Sequence, residues 1–242
     1  MATQVRGASA NPAQGAAVAR VAQPCPPALE MPPEARKLLI ELFIDPHRLA
    51  AADTARLTSN PQFKAFDAAN RPRGTDDWAA RCRFYWDNPT ARAARFTPRI
   101  VFMGDSITEN WGLAHPAFFG HGVLDRGISG QTSAENFKNN ILSMIEIARA
   151  NRIEVVLSSI PPAAGFSWRP QVDPKPWISQ LNAWLRTCAA QNHLRFVNYY
   201  PLLAGPAGAF RADLSNDGVH PNRSGYRVMR AVVEKEILRS VR

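Results

Sequence analysis

The feature that most constrains the fold is an alternation of short apolar segments with amphipathic ones that begins after Pro98. The apolar segments predict strands and the amphipathic segments predict helices, because their apolar residues recur with the helical period. The predicted strands are 100–103, 123–126, 153–158 and 194–198, and the predicted helices are 133–150, 178–191 and 222–241. Strands that alternate with helices are typical of crossover units around a parallel sheet. The sequence therefore predicts an α/β domain.

The sequence before this domain has a different texture. The segment 1–33 is rich in Ala, Pro, Gln and Gly without periodicity, which predicts a flexible arm. An apolar face in 34–44 predicts a helix that Pro46 ends or kinks, and 60–98 is predicted to be irregular with short helical pieces. The predicted units are an arm over 1–33, a helical and irregular extension over 34–98, and the α/β domain over 99–242.

Charge and hydropathy narrow the range of partners. The 242 residues carry 29 lysines and arginines against 20 acidic residues, but the basic residues are scattered and no zinc-finger, RNP-like or P-loop pattern accompanies them. The sequence therefore predicts no nucleic-acid partner. It also predicts no membrane span, because no segment is long and apolar enough.

The segment 1–27 lacks the apolar core of a secretory signal, so the compartment stays unknown, and export stays open if a signal has already been removed. The oligomeric state is not fixed by the sequence.

Three cysteines, Cys25, Cys82 and Cys188, show neither a Cys-x-x-Cys spacing nor a Cys/His metal pattern. The sequence accordingly predicts no metal site. Buried or unpaired thiols are one interpretation of an odd cysteine count. A bridge between Cys25 and Cys82 in an exported protein is the other, and the sequence leaves both open.

The stretch "VFMGDSITENWG" (101–112) ends a predicted strand on Gly-Asp-Ser. One interpretation is a strand end followed by a helix cap, since Asp and Ser commonly accept the first N–H groups of a helix. The other is a functional site, because open α/β sheets carry their sites beyond the carboxyl ends of the strands, where Ser106 lies. A serine hydroxyl is a weak nucleophile until a base takes its proton, so this interpretation requires a histidine.

One of the five histidines, His220, has a suitable setting. It lies in "LSNDGVHPNRSGY", where Asp217 precedes it by three residues. On a tight loop this spacing lets the carboxylate accept a hydrogen bond from Nδ1–H, which leaves Nε2 free to face a hydroxyl. The alternative is an aspartate cap before the last helix with a solvated histidine. The other histidines are interpreted as surface or packing residues.

Three stretches in this order, "FMGDSITENWG", "DRGISGQTS" and "DGVHPN", resemble the SGNH hydrolases, also called GDSL-type esterases and lipases, over about residues 99–240. The resemblance implies a three-layer α/β/α, flavodoxin-like fold with a parallel sheet. It implies Ser106 as nucleophile, His220 as base and Asp217 as the orienting acid. It also implies an oxyanion hole that includes the backbone N–H groups of Ser106 and Gly130. No metal and no organic cofactor are implied.

The sequence departs from this family's pattern at the third block, an Asn in Gly-x-Asn-Asp at the end of a central strand. Neither that motif nor its strand is found between Thr132 and the strand over 153–158. Excision of the central strand from the family order 2-1-3-4-5 predicts a four-stranded 2-1-4-5 sheet. Closing that sheet would shift the two ends of the site by about 4.8 Å unless the loops compensate. A remodelled active enzyme, a weakened or inactive relative, and a sequence that has lost a segment all remain open.

The stretch "SSIPPAAGFSWRPQ" follows the third predicted strand and lies on the same rim as Ser106. It predicts substrate contacts for Phe166, Trp168 and Arg169, with Asp105 as a further one, although a proline-braced surface loop explains it equally well. "IPPAAGFSWRP" also resembles the acylhydrolase branch similar to platelet-activating-factor acetylhydrolases, which implies short acyl groups such as acetyl. The predicted function is a serine hydrolase of small-molecule, short-chain esters. A non-catalytic or weakened binding protein on a hydrolase scaffold, or a thioesterase, is the alternative.

Overall fold

A computed structural model describes most of the α/β domain and part of the sequence before it. The described residues are 25–46, 49–76, 82–85, 100–120, 122–128 and 134–237. The segment 1–24 of the predicted arm and Gly130 of the predicted oxyanion hole lie outside these ranges.

All four predicted strands are confirmed, two of them in shorter form. They are β1 (Ile100–Gly104), β2 (Val123–Gly127), β3 (Val156–Ser158) and β4 (Arg195–Val197). The third is shorter at its start because 153–155 form no ladder, and the side chain of Ile153 is exposed. The apolar pattern thus located each of these strands, but it did not fix how many residues are hydrogen-bonded.

The three predicted helices of the α/β domain are also confirmed, and two further helices lie among these elements. In chain order the helices are α4 (Ser106–Ala114), α5 (Ala134–Ala150), α6 (Lys175–Gln191), α7 (Tyr200–Leu203) and α8 (Arg223–Glu236). Of these, α5, α6 and α8 were predicted from their amphipathic faces. The helix α4 follows β1 directly.

The sequence before β1 forms more helix than its composition suggests. The helices are α1 (Pro33–Leu39), which continues as a π-helical turn over Ile40–Ile44, then α2 (Ala51–Ser59) and α3 (Pro61–Asp76). The prediction of irregular structure from residue 60 is wrong for 61–76. Asn60 caps α3, since its Oδ1 accepts hydrogen bonds from the N–H groups of Gln62 and Phe63, and Pro61 suits the first helical position.

The strands form two parallel pairs instead of one sheet. β1 pairs with β2 in a register that runs from Ile100 opposite Val123 to Gly104 opposite Gly127. β3 pairs with β4 from Val156 opposite Arg195. Among the described residues no ladder joins β1 to β3, so the predicted continuous 2-1-4-5 sheet is wrong although both of its outer pairs are present.

A shared core holds the two pairs together where hydrogen bonds do not. Phe102 of β1 and Val156 of β3 both pack against one apolar cluster. At the centre of this cluster Trp111 of α4 stacks between Phe118 and Tyr226, with ring centroids 5.4 Å and 5.7 Å away. Since Tyr226 belongs to α8, the cluster packs α4 against α8.

A second cluster covers only the β3–β4 pair. Ile145 of α5 and Leu185 of α6 pack with Leu157 of β3, and Phe196 of β4 lies against the same group. Both α5 and α6 therefore lie over this pair. The other face of the pair meets the shared core through Val156 and Val197, so β3 and β4 have apolar partners on both faces, as is typical of parallel sheets.

The cysteines follow one of the two interpretations left open by the sequence. Cys25 and Cys82 form a disulfide with 5.4 Å between their Cα atoms, and Cys188 is a buried free thiol. The bridge ties the start of the described chain to the turn at 82–85. In the same described ranges, no helix has the length and apolar character that crossing a bilayer requires.

Candidate active site

Ser106 lies where β1 passes directly into α4. Asp105 is the N-cap of that helix, because its Oδ1 accepts a hydrogen bond of 2.9 Å from the N–H of Ile107. Ser106 is the first helical residue, so its own N–H has no carbonyl partner within the helix. The capping interpretation of Gly-Asp-Ser is therefore confirmed for Asp105, and the same turn leaves Ser106 at the carboxyl end of β1. The interpretation as a functional site stays a prediction.

A glycine lets β2 approach this turn closely. A Cβ at Gly127, the last residue of β2, would collide with the backbone of Thr108 and Glu109 in α4. The absence of a side chain therefore allows the first turn of α4 to pack directly on the end of β2. This contact fixes the direction in which α4 leaves the strand, and with it the position of Ser106.

The loop before α8 presents His220 from the other side. Asp217 Oδ1 accepts hydrogen bonds from the N–H groups of Val219 and His220, at 2.9 Å and 2.8 Å. An isolated bridge between Ser215 and Pro221 closes the loop at its base. The aspartate therefore shapes the loop in addition to contacting the imidazole.

Three side chains form a continuous hydrogen-bonded chain. His220 Nε2 lies 2.9 Å from Ser106 Oγ, and His220 Nδ1 lies 2.7 Å from Asp217 Oδ2. An ionised carboxylate can only accept, so Nδ1 carries the proton and Nε2 accepts from the serine hydroxyl. The structure thus brings together three of the four residues predicted for the triad and the oxyanion hole. The fourth, Gly130, lies outside the described residues.

The electrostatics favour an ionised aspartate beside the histidine. Burial acts to raise the pKa of Asp217, whose side chain is only 6% exposed, but the hydrogen bonds and charge of His220 lower it more. The backbone N–H of Val219 adds to this effect. The net result is a pKa below the usual aspartate range, so the carboxylate stays charged and can stabilise a protonated imidazole.

The predicted displacement of the site by one strand width does not occur. The two strand pairs do not join into one sheet. The contact between α4 and α8 keeps Ser106 within hydrogen-bonding distance of His220. Tyr226 Oη of α8 donates a 2.7 Å hydrogen bond to the carbonyl of Ile107 in α4. Burial raises the pKa of Tyr226 well above its ordinary value, so this hydroxyl remains a donor.

The aromatic residues predicted as substrate contacts lie beside the histidine. The indole of Trp168 stacks on the imidazole of His220, with 6.2 Å between centroids and 28° between planes. Phe166 stacks on Trp168 in turn, at 5.3 Å. Arg169 is exposed, and its backbone N–H donates to the carbonyl of Phe166. Asp105, the remaining predicted contact, is the cap of α4.

Sequence reasoning missed a link between the extension and the histidine loop. Asn216, directly before Asp217, donates through Nδ2 to the carbonyls of Leu42 and Asp45. Its Oδ1 accepts from the Nδ2 of Asn222, which caps α8. An asparagine before a helix is a visible capping signal. No local pattern marks Asn216, because its partners lie 174 and 171 residues away in the chain.

The described part of the chain holds no group of three His, Cys, Asp or Glu side chains arranged to bind a metal. The groups that the described structure brings together at this rim are the hydroxyl, the imidazole and the carboxylate. This trio has the residue types and the hydrogen-bond order of the serine hydrolase class of site.

Comparison with known proteins agrees with this class. The GDSL-like Lipase/Acylhydrolase family model matches residues 117–228. A GDSL-like lipase from Bacteroides thetaiotaomicron VPI-5482 is 34% identical with a TM-score of 0.60, and the match covers 65% of this chain and 97% of that one. A protein from Bacteroides fragilis NCTC 9343, provisionally named an acylhydrolase, is 32% identical with a TM-score of 0.63, covering 69% and 99%.

A more distant structure shares the fold. A protein from Streptococcus pneumonia, provisionally named a platelet activating factor, is 19% identical with a TM-score of 0.54 over 69% of this chain and 98% of that one. No curated protein matches the chain. The two Bacteroides proteins establish that the chain belongs to the GDSL-like lipase/acylhydrolase family. This membership confirms the predicted resemblance and the α/β fold, and it supports a hydrolase function.

Proposed function

We propose that the protein hydrolyses short-chain acyl esters through Ser106, His220 and Asp217. The observation that carries the proposal is the 2.9 Å contact between Ser106 Oγ and His220 Nε2, which joins groups 114 residues apart in the chain. Such a contact lies within the reach that general-base catalysis needs. The buried, ionised Asp217 at the far side of the ring orients the imidazole and stabilises its charged form.

The proposed reaction proceeds in two halves. His220 Nε2 takes the hydroxyl proton while Ser106 Oγ forms a bond to the ester carbonyl carbon. The bond from that carbon to the alcohol oxygen then breaks, and the alcohol leaves with the proton that His220 held. A water molecule gives a proton to His220 and attacks the acyl-serine, which releases the carboxylic acid and restores the serine hydroxyl.

The oxyanion of this reaction requires nearby N–H donors. The N–H of Ser106 is a candidate, since it lies at the start of α4 and no hydrogen bond from it to another described residue is found. The helix dipole adds a partial positive charge at the same point. Loss of a single oxyanion donor typically costs about 10²–10³ in turnover, so the missing third-block Asn favours a slower enzyme. Gly130 is the second donor in this proposal, on the strength of the family resemblance.

The preference for short acyl groups rests on the stretch "IPPAAGFSWRP", which resembles the acetylhydrolase-like branch. Acetyl and butyryl esters are therefore the first substrates to test. The protein and a Ser106→Ala variant are incubated with p-nitrophenyl acetate and p-nitrophenyl butyrate. We expect release of p-nitrophenol by the wild type, faster for acetate, and a rate lower by about 10³-fold or more in the variant. Equal rates in the two proteins would remove the esterase assignment.

The role of His220 has a separate test. In the proposed reaction the imidazole takes the proton of Ser106, so a His220→Ala variant should lose most of its turnover. His193, an exposed histidine that precedes β4, offers a matched control, and His193→Ala should keep the wild-type turnover. Full turnover in His220→Ala would exclude it from the mechanism.

A hydrolase scaffold that binds without efficient catalysis is the second candidate, and the missing third block favours it. The two functions differ in one measurement. A binding scaffold would retain an ester or its product with equal affinity in wild type and Ser106→Ala, and neither protein would turn it over.

We also infer that the protein works in an oxidising compartment. The support is the disulfide between Cys25 and Cys82, because such bridges persist mainly outside the reducing cytosol. Thiol counting on unfolded protein, isolated from its cells without reductant, should find one free thiol, that of Cys188. Three free thiols would contradict this inference.

A further inference from the structure

The aromatic pair Phe166–Trp168 stands on one defined side of the candidate site. Trp168 stacks against the imidazole of His220, and Phe166 stacks against Trp168. Trp168 is 58% exposed, so packing in the protein interior does not account for its position. A large apolar ring held open to solvent beside a reactive imidazole is a surface that a ligand can cover.

The chemistry of acyl transfer assigns this side to one part of the ester. In the proposed reaction His220 Nε2 must hand its proton to the oxygen of the departing alcohol, so that oxygen comes within hydrogen-bond reach of the ring. The developing oxyanion lies instead toward the N–H of Ser106 at the start of α4. A ring that flanks the imidazole therefore flanks the alcohol part of the substrate.

We propose that Phe166 and Trp168 form an alcohol-binding platform and that the preferred alcohol is flat and apolar. The proposal rests on the proposed esterase function. Flat rings gain on such a platform because stacked and edge-to-face contacts between aromatic groups exceed the effect of buried area alone. Puckered alcohols of the same size bury similar area without that additional contribution. On this assignment the pair contacts the alcohol and not the acyl chain, so the chain-length preference does not depend on Trp168.

Two ester pairs separate these effects. Benzyl acetate and cyclohexylmethyl acetate differ in ring shape but share the acetyl group and a primary alcohol. Benzyl acetate and benzyl butyrate differ only in the acyl chain. For each pair the ratio of kcat/KM is measured in the wild type, in Trp168→Ala and in the conservative variant Trp168→Phe. Trp177→Ala is the matched control, since Trp177 is a tryptophan of α6 with 57% exposure.

We expect Trp168→Ala to lower the benzyl to cyclohexylmethyl ratio about two- to tenfold, the range that an aromatic contact contributes. Trp168→Phe should restore most of it, and Trp177→Ala should leave it unchanged. The acetate to butyrate ratio should be the same in all four proteins. Because each value is a ratio within one protein, a general loss of activity or of folded protein does not mimic the result.

Other outcomes overturn the proposal in distinguishable ways. A changed acetate to butyrate ratio with a constant alcohol ratio would place the aromatic pair on the acyl side. Two constant ratios would show that the pair does not contact the substrate. A wild type no faster than Ser106→Ala on every ester would overturn the esterase function itself, whereas an active wild type with unchanged ratios would overturn only the platform.

Discussion

The two strand pairs of this molecule have the same parallel geometry but very different surroundings. In the β3–β4 pair, Leu157 is 7% exposed because α5 and α6 cover it. In the β1–β2 pair, Phe102 packs into the shared core, but Val101 and Met103 on the opposite face are 49% and 64% exposed. Strands of parallel sheets are normally covered on both faces. Among the described residues, one pair is therefore a complete sandwich and the other is covered on one side only.

This difference matches the unit that the sequence lacks. The family resemblance places a central strand and a crossover helix between the two pairs, and β1 is the strand without a described neighbour on that side. The site nevertheless stays assembled, because α4 and α8 are joined through Trp111 and Tyr226. The comparison teaches that packing between helices, and not sheet continuity, holds Ser106 against His220 in this chain.

The largest change in the free energy of unfolding is expected at the contact between α4 and α8. Trp111→Ala removes a fully buried indole from between two rings and should lower the free energy of unfolding by about 3–5 kcal/mol. Trp111→Phe keeps one aromatic ring at this position and should lower the free energy of unfolding by less. Urea unfolding measures both, with exposed Trp177→Ala as the control. If Trp111→Ala were no more destabilising than this control, the site would have to be held by something other than the helix contact.

A smaller decrease in stability is expected where the N-terminal extension contacts the loop that carries His220. Asn216→Ala leaves the carbonyls of Leu42 and Asp45 without their side-chain donor and should destabilise the protein by about 1–3 kcal/mol. Asn140→Ala, on the exposed face of α5, is the matched control and should stay within about 0.5 kcal/mol of wild type. Equal stability of the two variants would show that the extension does not support the loop.

The pH dependence of stability tests the buried carboxylate. The pKa of Asp217 is lower in the folded than in the unfolded chain, so its contribution is present above the unfolded aspartate range. That contribution is lost as the pH falls through the folded value. Asp217→Asn should therefore be less stable than wild type at neutral pH, and the difference should shrink in acid. Chemical unfolding at several pH values measures this, and a constant difference would contradict the pKa direction.

The smallest effect is expected on the uncovered face of β1. Met103→Gln should change the free energy of unfolding by no more than about 0.5 kcal/mol, because that side chain is largely in water already. Leu157→Ala on the covered pair should cost about 2–5 kcal/mol. Urea unfolding compares the two variants. A cost for Met103→Gln as large as that for Leu157→Ala would break the comparison, since it would mean that the face is covered in solution.

Much of the fold was accessible from local patterns. The strands and the helices α5, α6 and α8 followed from periodicity, since each pattern lies within one contiguous segment. The helix α3 contradicts the predicted irregular structure, although Asn60 and Pro61 are a normal helix start. The single sheet was wrongly predicted because strand adjacency depends on segments that are distant in sequence.

In the candidate site, too, features within one segment could be predicted, whereas contacts between distant segments could not. Asp217 and His220 could be paired from their spacing on one loop, and Ser106 could be found from its position at a strand end. The stacking of Trp168 on His220 joins two loops that are far apart in the chain, and nothing in either loop specifies the other. The bonds of Asn216 to the extension were equally invisible, because the partners are main-chain carbonyls that any residue could supply.

The sequence by itself determined the four strands, the helices α5, α6 and α8, the family resemblance and the three side chains of the candidate site. Only the tertiary structure decided that the described strand pairs stay separate, that the hydroxyl and the imidazole still meet at 2.9 Å, and that an open indole lies beside them. The physical reason is the distance along the chain over which each interaction acts. Backbone propensity and capping act over a few residues, whereas the relative position of α4 and α8 follows from how a complete set of buried side chains packs.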